Sequence, residues 1–177
     1  VMNSPLNPTG TVIDREVLRG IAQAIVDENK RRGDAPPCML MWDAVYWQLT
    51  KDEHPFYSPV QLVPEIAPYV VHIDAISKGF SATGLRVGWA VLPPYLQTKM
   101  KAIIGHMGAW AARPEQLATA ALLNDEQAVA EYNRWIKTEI DARLDTLYDG
   151  IMSMKAEGLP VDAIQPQGAI YLSVNFP

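Results

Sequence analysis

The chain has 177 residues, of which 49% are apolar and 20% are charged. This composition is typical of a globular protein with a sizeable core and excludes a disordered or fibrous chain. The formal net charge of −5 argues against a nucleic-acid binder, whose surface is usually basic. Cys38 is the only cysteine, so a disulfide framework and a cysteine-based zinc site are excluded and a reducing, cytoplasmic setting is expected. No apolar run approaches the roughly 20 residues that a membrane span needs.

Predicted helices and strands alternate along the first part of the chain. The segment NSPLNPTG, residues 3–10, holds two prolines and a glycine and predicts a rigid loop. Asp14 is the expected N-cap of a helix that continues to about Lys30. The apolar face predicted for this helix consists of Val17, Leu18, Ile21 and Ile25. The run CMLMWD then predicts a short, fully buried strand, and the proline-rich residues 50–69 predict an excursion over the surface.

Two further strands and three further helices are predicted after that excursion. YVVHID and RVGWAVL have the composition of strands, and helices are expected over residues 93–107 and 112–124. The longest predicted helix runs from about Asp125 to Glu157. Its apolar residues recur every three or four positions and predict one continuous stripe: Tyr132, Ile136, Ile140, Leu144, Leu147, Ile151 and Met154.

This order of elements predicts an α/β fold, a mostly parallel sheet with flanking helices. A helix of some 30 residues is about 45 Å long, which is longer than a single small hydrophobic core. We therefore expect this helix to connect two cores. We therefore assign residues 1–124 to a large domain, residues 125–157 to a long linker helix and residues 158–177 to the beginning of a small α+β domain. The chain starts beside a tight turn and stops after the predicted strand AIYLSVNF, residues 169–176, so we expect a piece of a longer enzyme.

Polar side chains follow the predicted strands at their carboxyl ends. Asp43 and Tyr46 come after the first strand, Ser77 and Lys78 after the second, and Asn7 lies in the opening loop. Ligands of parallel α/β sheets bind at this edge. These five residues are therefore candidates for one shared site.

The chemistry of these groups fits pyridoxal 5′-phosphate. A lysine that is partly desolvated becomes a nucleophile for an aldehyde, and Arg86 suits a phosphate. Asp43 suits a protonated ring nitrogen, and Tyr46 and Asn7 suit a phenolic oxygen. Taken singly, each residue is more often a surface group, a turn former or an ion-pair partner, so the prediction depends on their order.

The motifs NSPLNPTG, DAVY and SKGFSATGLRVGW resemble three signatures of the class I/II aminotransferases, pyridoxal phosphate-dependent enzymes of fold type I. The resemblance implies that Lys78 is the Schiff-base and catalytic lysine and that Arg86 binds the cofactor's phosphate. It also implies that Asp43 pairs with the pyridine nitrogen and that Asn7 and Tyr46 contact the phenolic oxygen. No metal is implied.

One position departs from the family pattern. A hydroxyl residue usually stands three residues before the lysine, and here that residue is Ala75. Ser77 is the nearest hydroxyl and is kept as a cofactor-binding candidate, although it projects differently one residue before the lysine. We expect a weaker phosphate site or a hydroxyl supplied from elsewhere.

The resemblance implies transfer of an amino group between an amino acid and a 2-oxo acid, with Lys78 moving the proton, in a homodimer. Alternatives are a lyase or synthase of the same fold and a ligand-sensing domain of a transcription regulator. The fragment by itself is expected to be inactive, and the sequence does not identify the substrate. His72 is expected in the core or sheet, and Trp110 and Arg113 either pack or approach a partner's site.

Overall fold

The computed structural model describes the whole chain, residues 1–177. The helices are α1 (Arg15–Arg32), α2 (Pro59–Leu62), α3 (Ile76–Gly79), α4 (Pro94–Met107), α5 (Arg113–Leu123) and α6 (Glu126–Ala156). The strands are β1 (Met2–Asn3), β2 (Leu40–Asp43), β3 (Val70–Ala75), β4 (Gly88–Val91), β5 (Asp162–Ala163) and β6 (Val174–Asn175). None of the helices is both long enough and apolar enough to cross a membrane.

One four-stranded sheet, in the order β1-β2-β3-β4, organises the first half of the chain. β1 and β2 pair in parallel, as do β2 and β3, which confirms the predicted α/β fold with a mostly parallel sheet. β4 pairs antiparallel to β3. A parallel return needs a crossover that is usually a helix, whereas residues 76–87 contain only the single turn of α3 and a loop. The start of β4 therefore lies at the edge of the sheet where β3 ends.

Helix α1 covers one face of this sheet. Its carboxylate cap is Asp14, whose Oδ1 accepts hydrogen bonds from the backbone N–H groups of Glu16, at 2.8 Å, and Val17. The predicted apolar face is wrong in part, because Val17 is 55% exposed. The residues of α1 that enter the core are Leu18, Ala22 and Val26.

The predicted surface excursion, residues 50–69, also contributes to this core. Val63 and Ile66 are buried in the same cluster as the α1 residues, so the prediction of a surface segment is wrong at these positions. The prediction of a fully buried strand at β2 is wrong as well. Trp42 is completely buried, but Met41 is 42% exposed, because α1 covers only one face of the strand.

Helix α6 confirms the long helix, with Asp125 as its N-cap, since the Asp125 carboxylate accepts the Ala128 N–H. The predicted stripe is covered only in its middle. Leu144 is buried, and Ile140 packs against the buried cluster that contains Tyr46 and Leu49. Leu147, in contrast, is 58% exposed. After α6, β5 and β6 pair antiparallel in a sheet of two residues each, shorter than the strand that the sequence predicts over residues 169–176.

Candidate active site

The candidate residues lie along one edge of the four-stranded sheet. Asp43 ends β2, and Lys78 follows directly after β3 in the single turn of α3. Because β4 runs antiparallel, Arg86 precedes it at this same edge, where the Ile76 N–H donates to the carbonyl of Val87. The fold therefore brings the second and third sequence motifs to one place.

Tyr46 is the centre of the site. It is only 4% exposed, and the Lys78 Nζ lies 5.8 Å from the centroid of its ring. On another side, Tyr171 meets it edge-on, with the ring centroids 5.5 Å apart and the planes at 72°. The two tyrosine hydroxyls are hydrogen-bonded to each other.

The surroundings of Tyr46 keep its phenol protonated. Burial raises its pKa far above the ordinary value, and the hydrogen bond with Tyr171 and the negative charge of Asp43 act in the same direction. The side-chain amide of Asn7 opposes them by lowering the pKa of Tyr46. Asn7, Asp43, Lys78 and Tyr171 therefore all face Tyr46, whose neutral phenol has one hydrogen to donate.

The Asp43 carboxylate is held by the turn that follows β2. Its Oδ1 accepts a hydrogen bond of 3.1 Å from the Val45 N–H, and its Oδ2 accepts none within the chain. An anionic oxygen is thus available at the strand end for a cationic partner.

A second set of contacts shapes the lysine loop. The Thr83 hydroxyl donates to the carbonyl of Ser77 at 2.8 Å, and the Arg86 guanidinium donates to the carbonyl of Thr83 at 2.9 Å. Arg86 is exposed and adopts a left-handed backbone conformation, with φ of 57°. Gly79 packs so closely on Gln48 that a Cβ there would lie 1.9 Å from Oε1 of that side chain. The loop therefore links Ser77 to Arg86 through one threonine.

Three neighbours of the site were missed by the sequence analysis: Trp47, Asp74 and Tyr171. The indole N–H of Trp47 donates to Asp74 Oδ2 at 2.9 Å. Burial raises the pKa of Asp74, against the hydrogen bonds from the Ala75 N–H and Trp47. An acidic residue at a strand end, four positions before the lysine, is a signal that could have identified Asp74.

The remaining predicted positions lie around this centre. Ala75 pairs with Gly88, and a Cβ on that glycine would lie 3.3 Å from the Ala75 Cβ. His72 is partly buried in β3, as expected, and burial lowers its pKa while Asp74 opposes the shift. Trp110 is 59% exposed and lies against Gly105, and Arg113 is the first residue of α5. Within the chain, no group of three or more acidic, histidine or cysteine side chains is arranged to hold a metal ion.

Known proteins resemble this chain in both sequence and fold. An aspartate aminotransferase of Bacillus sp. (strain YM-2) is 28% identical over 97% of this chain and 40% of its own length. The aspartate/prephenate aminotransferase of Thermus thermophilus is 28% identical over 99% of this chain and 41% of its own length. The solved structure of an aromatic aminotransferase from Pyrococcus horikoshii OT3 is 26% identical, with a TM-score of 0.80 over 94% of this chain and 40% of that one.

The chain thus spans about 40% of the length of these relatives. The T. thermophilus aspartate aminotransferase solved with maleate superimposes with a TM-score of 0.83 at 24% identity, over 97% of this chain and 40% of that one, which supports the fold. The family model for aminotransferases of class I and II matches residues 1–177. The chain therefore belongs to the class I and II aminotransferase family, whose fold is fold type I.

Proposed function

We propose that the protein represented by this chain is a pyridoxal phosphate-dependent enzyme that transfers an amino group between an amino acid and a 2-oxo acid. Aminotransferases of class I and II depend on this cofactor. The observation that carries the proposal is the position of Lys78, whose Nζ lies 5.8 Å from the centroid of the buried Tyr46 ring. A primary amine, a carboxylate and a protonated phenol at one sheet edge match the cofactor's aldehyde, ring nitrogen and phenolic oxygen.

The residues present fit pyridoxal phosphate by the chemistry of their donors. The unpartnered Oδ2 of Asp43 is suited to a protonated pyridine nitrogen. Tyr46 and Asn7 are suited to donate to the phenolic oxygen, and Lys78 to bond the aldehyde carbon. Arg86 is suited to the phosphate, with Ser77 beside it. When bound, the cofactor supplies an electron-withdrawing ring that stabilises negative charge at the substrate's α-carbon.

Each residue then has a defined task in the reaction. Once the substrate's amino group has replaced it on the aldehyde carbon, the free amine of Lys78 would remove the proton from the substrate's α-carbon as a general base and would then give up that proton as a general acid. The carboxylate of Asp43 would stabilise the protonated form of the pyridine nitrogen. Tyr46 stays protonated, because burial and the neighbouring carboxylate disfavour its anion, and so remains a donor throughout.

The names of the relatives support aspartate as the amino donor to test first, with a 2-oxo acid as acceptor. Those names also favour transfer over the lyase, synthase and ligand-sensing alternatives. A homodimer is supported by exposed apolar residues on α4 and α5, including Met107 and Leu117. The low cysteine content supports the cytoplasm as its location, and the net negative charge supports the absence of nucleic-acid binding.

The experiment that tests the site is reductive trapping. The chain is mixed with pyridoxal phosphate, reduced with borohydride and digested, and the modified lysine is identified by mass spectrometry. We expect one phosphopyridoxyl group, located on Lys78, because the Nζ of this lysine lies over the ring of Tyr46.

Two charge-preserving variants complete the test. Lys78→Arg is expected to lose the adduct, and Lys101→Arg, which replaces an exposed lysine of α4, is expected to keep it. Equal labelling of exposed lysines in the unmodified chain and in Lys78→Arg would contradict the proposed site.

A further inference from the structure

We propose that Tyr171 is a positioning residue of the cofactor site: its hydroxyl, hydrogen-bonded to the hydroxyl of Tyr46, orients that phenol toward the ligand. The inference rests on the proposed function, because the ligand oxygen that Tyr46 would meet is the phenolic oxygen of pyridoxal phosphate. It adds to the site a residue that lies 125 positions further along the chain.

The geometry of the pair constrains the Tyr46 side chain from two directions. The edge-to-face contact, with centroids 5.5 Å apart, fixes the plane of the Tyr46 ring. The bond between the hydroxyls fixes its distal end. Lys78 lies over the ring, so a rotation of Tyr46 would also change the surface that faces the lysine.

The backbone before Tyr171 is itself held in place. The Ala169 N–H donates to the carbonyl of Leu49 at 2.8 Å, and the Gly168 N–H donates to the carbonyl of Gly10 at 2.9 Å. Ala169 is fully buried and has a φ of 60°. Tyr171 is therefore presented by a segment anchored both to the loop after Asn7 and to the turn after Tyr46.

The proposal requires one direction for this hydrogen bond. A phenol donates one hydrogen and accepts others at its oxygen. If Tyr171 donates to Tyr46, the hydrogen of Tyr46 is left for the ligand, and a chain of two donors points to one oxygen. Such chains strengthen each member by polarisation. Asp43, Asn7 and Lys78 are the other polar groups that face Tyr46.

A purely structural role for Tyr171 makes a different prediction. If only its ring packs against Tyr46, then Tyr171→Phe keeps the ring contact and leaves ligand binding unchanged. If its hydroxyl positions the phenol, the same substitution affects ligand binding, and only while Tyr46 has its own hydroxyl.

The first measurement needs no cofactor. Urea unfolding is measured for the unmodified chain, for Tyr171→Phe, for Tyr46→Phe and for the double variant. We expect the double variant to unfold at the same urea concentration as the less stable single variant, because both substitutions break one shared bond. Fully additive effects would overturn the proposal. Tyr148→Phe, on α6 and without a hydrogen bond from its hydroxyl, is the matched control and is expected to add its effect independently.

The second measurement is the dissociation constant of pyridoxal phosphate, with the pH dependence of the bound cofactor's visible absorbance. We expect Tyr171→Phe to weaken binding by roughly two- to tenfold and to shift the pH dependence. Adding Tyr171→Phe to Tyr46→Phe is expected to cause no further change in binding or in pH dependence. Tyr148→Phe alone is expected to change neither property. Unchanged binding and absorbance, or an equal loss in both backgrounds, would overturn the inference. If the unmodified chain bound no cofactor, the proposed site would lose its support, and the unfolding cycle alone would decide whether Tyr171 holds Tyr46.

Discussion

Gly168 occupies a point where three segments meet. A Cβ at this position would lie 2.8 Å from the carbonyl oxygen of Leu49, 2.9 Å from Cγ of Pro5 and 3.1 Å from Cα of Thr50. Two of these neighbours are backbone atoms, which cannot move aside as a flexible side chain can. We therefore expect Gly168→Ala to lower the free energy of unfolding by about 1–3 kcal/mol, measured by urea denaturation.

Gly150 offers the matched control for this prediction. It lies inside α6, and a Cβ there meets nothing within 4 Å. Alanine is the better helix former, so Gly150→Ala is expected to raise the free energy of unfolding by about 0.5–1 kcal/mol. Equal effects of the two substitutions would show that the packing around Gly168 is not as close as described.

At the scale of elements, an ion pair joins α6 to the turn that follows Tyr46. Lys51 is only 7% exposed, and its ammonium group bonds the carboxylate of Asp145 on α6. Asp141, one helical turn earlier, also interacts with Lys51. This pair fixes the helix against the segment that carries Tyr46, so its strength bears on the geometry of the site.

We expect Asp145→Asn to lower the free energy of unfolding by about 1–2 kcal/mol, because a buried ammonium loses its closest anion. The value is below that of a fully buried pair, since the Asp145 side chain is 50% exposed. Urea denaturation at constant ionic strength measures the change.

Asp52→Asn removes the same charge from a surface pair and serves as the control. Asp52 bonds Lys137 of α6, but its side chain is 95% exposed. We expect a loss below about 0.5 kcal/mol. A loss at Asp52 as large as that at Asp145 would contradict the importance of burial for the Lys51 pair.

At the scale of the whole molecule, the apolar surface is unevenly covered. α1 and the segment before β3 enclose one face of the sheet, while α4 and α5 expose large apolar side chains, among them Ile103, Met107 and Leu117. Together with Trp110, these helices border an open groove beside β4. Large apolar side chains exposed on two consecutive helices are typical of an interface.

We expect the native chain to bind the dye ANS at this surface. Ile103 and Met107 lie one turn apart on α4 and are 50% and 74% exposed. Replacing both with lysine is expected to reduce the dye's fluorescence severalfold and to change the free energy of unfolding by less than about 0.5 kcal/mol. Val17→Lys, on the exposed side of α1, is expected to leave the fluorescence unchanged. Undiminished binding in the double variant would show that the dye binds elsewhere.

Local patterns predicted the long elements and the residues of the motifs. The caps Asp14 and Asp125 mark the starts of α1 and α6, because a capping carboxylate acts on N–H groups two or three residues away. The polar residues at strand ends were identified for a similar reason. Their position relative to a strand follows from a few adjacent residues, so Asn7, Asp43, Tyr46, Lys78 and Arg86 could be nominated without a structure.

Only the tertiary structure decided which faces are covered and which distant residues meet. The exposure of Val17 and Met41 depends on how α1 lies across the sheet, which periodicity alone does not determine. The contact between Tyr46 and Tyr171 depends on the path of the 124 intervening residues, and Asp74 meets Trp47 only because β2 and β3 are neighbours. The sequence by itself determined the local chemistry of this protein. The folded backbone decided how that chemistry is assembled, because non-local contacts arise from the packing of all elements together.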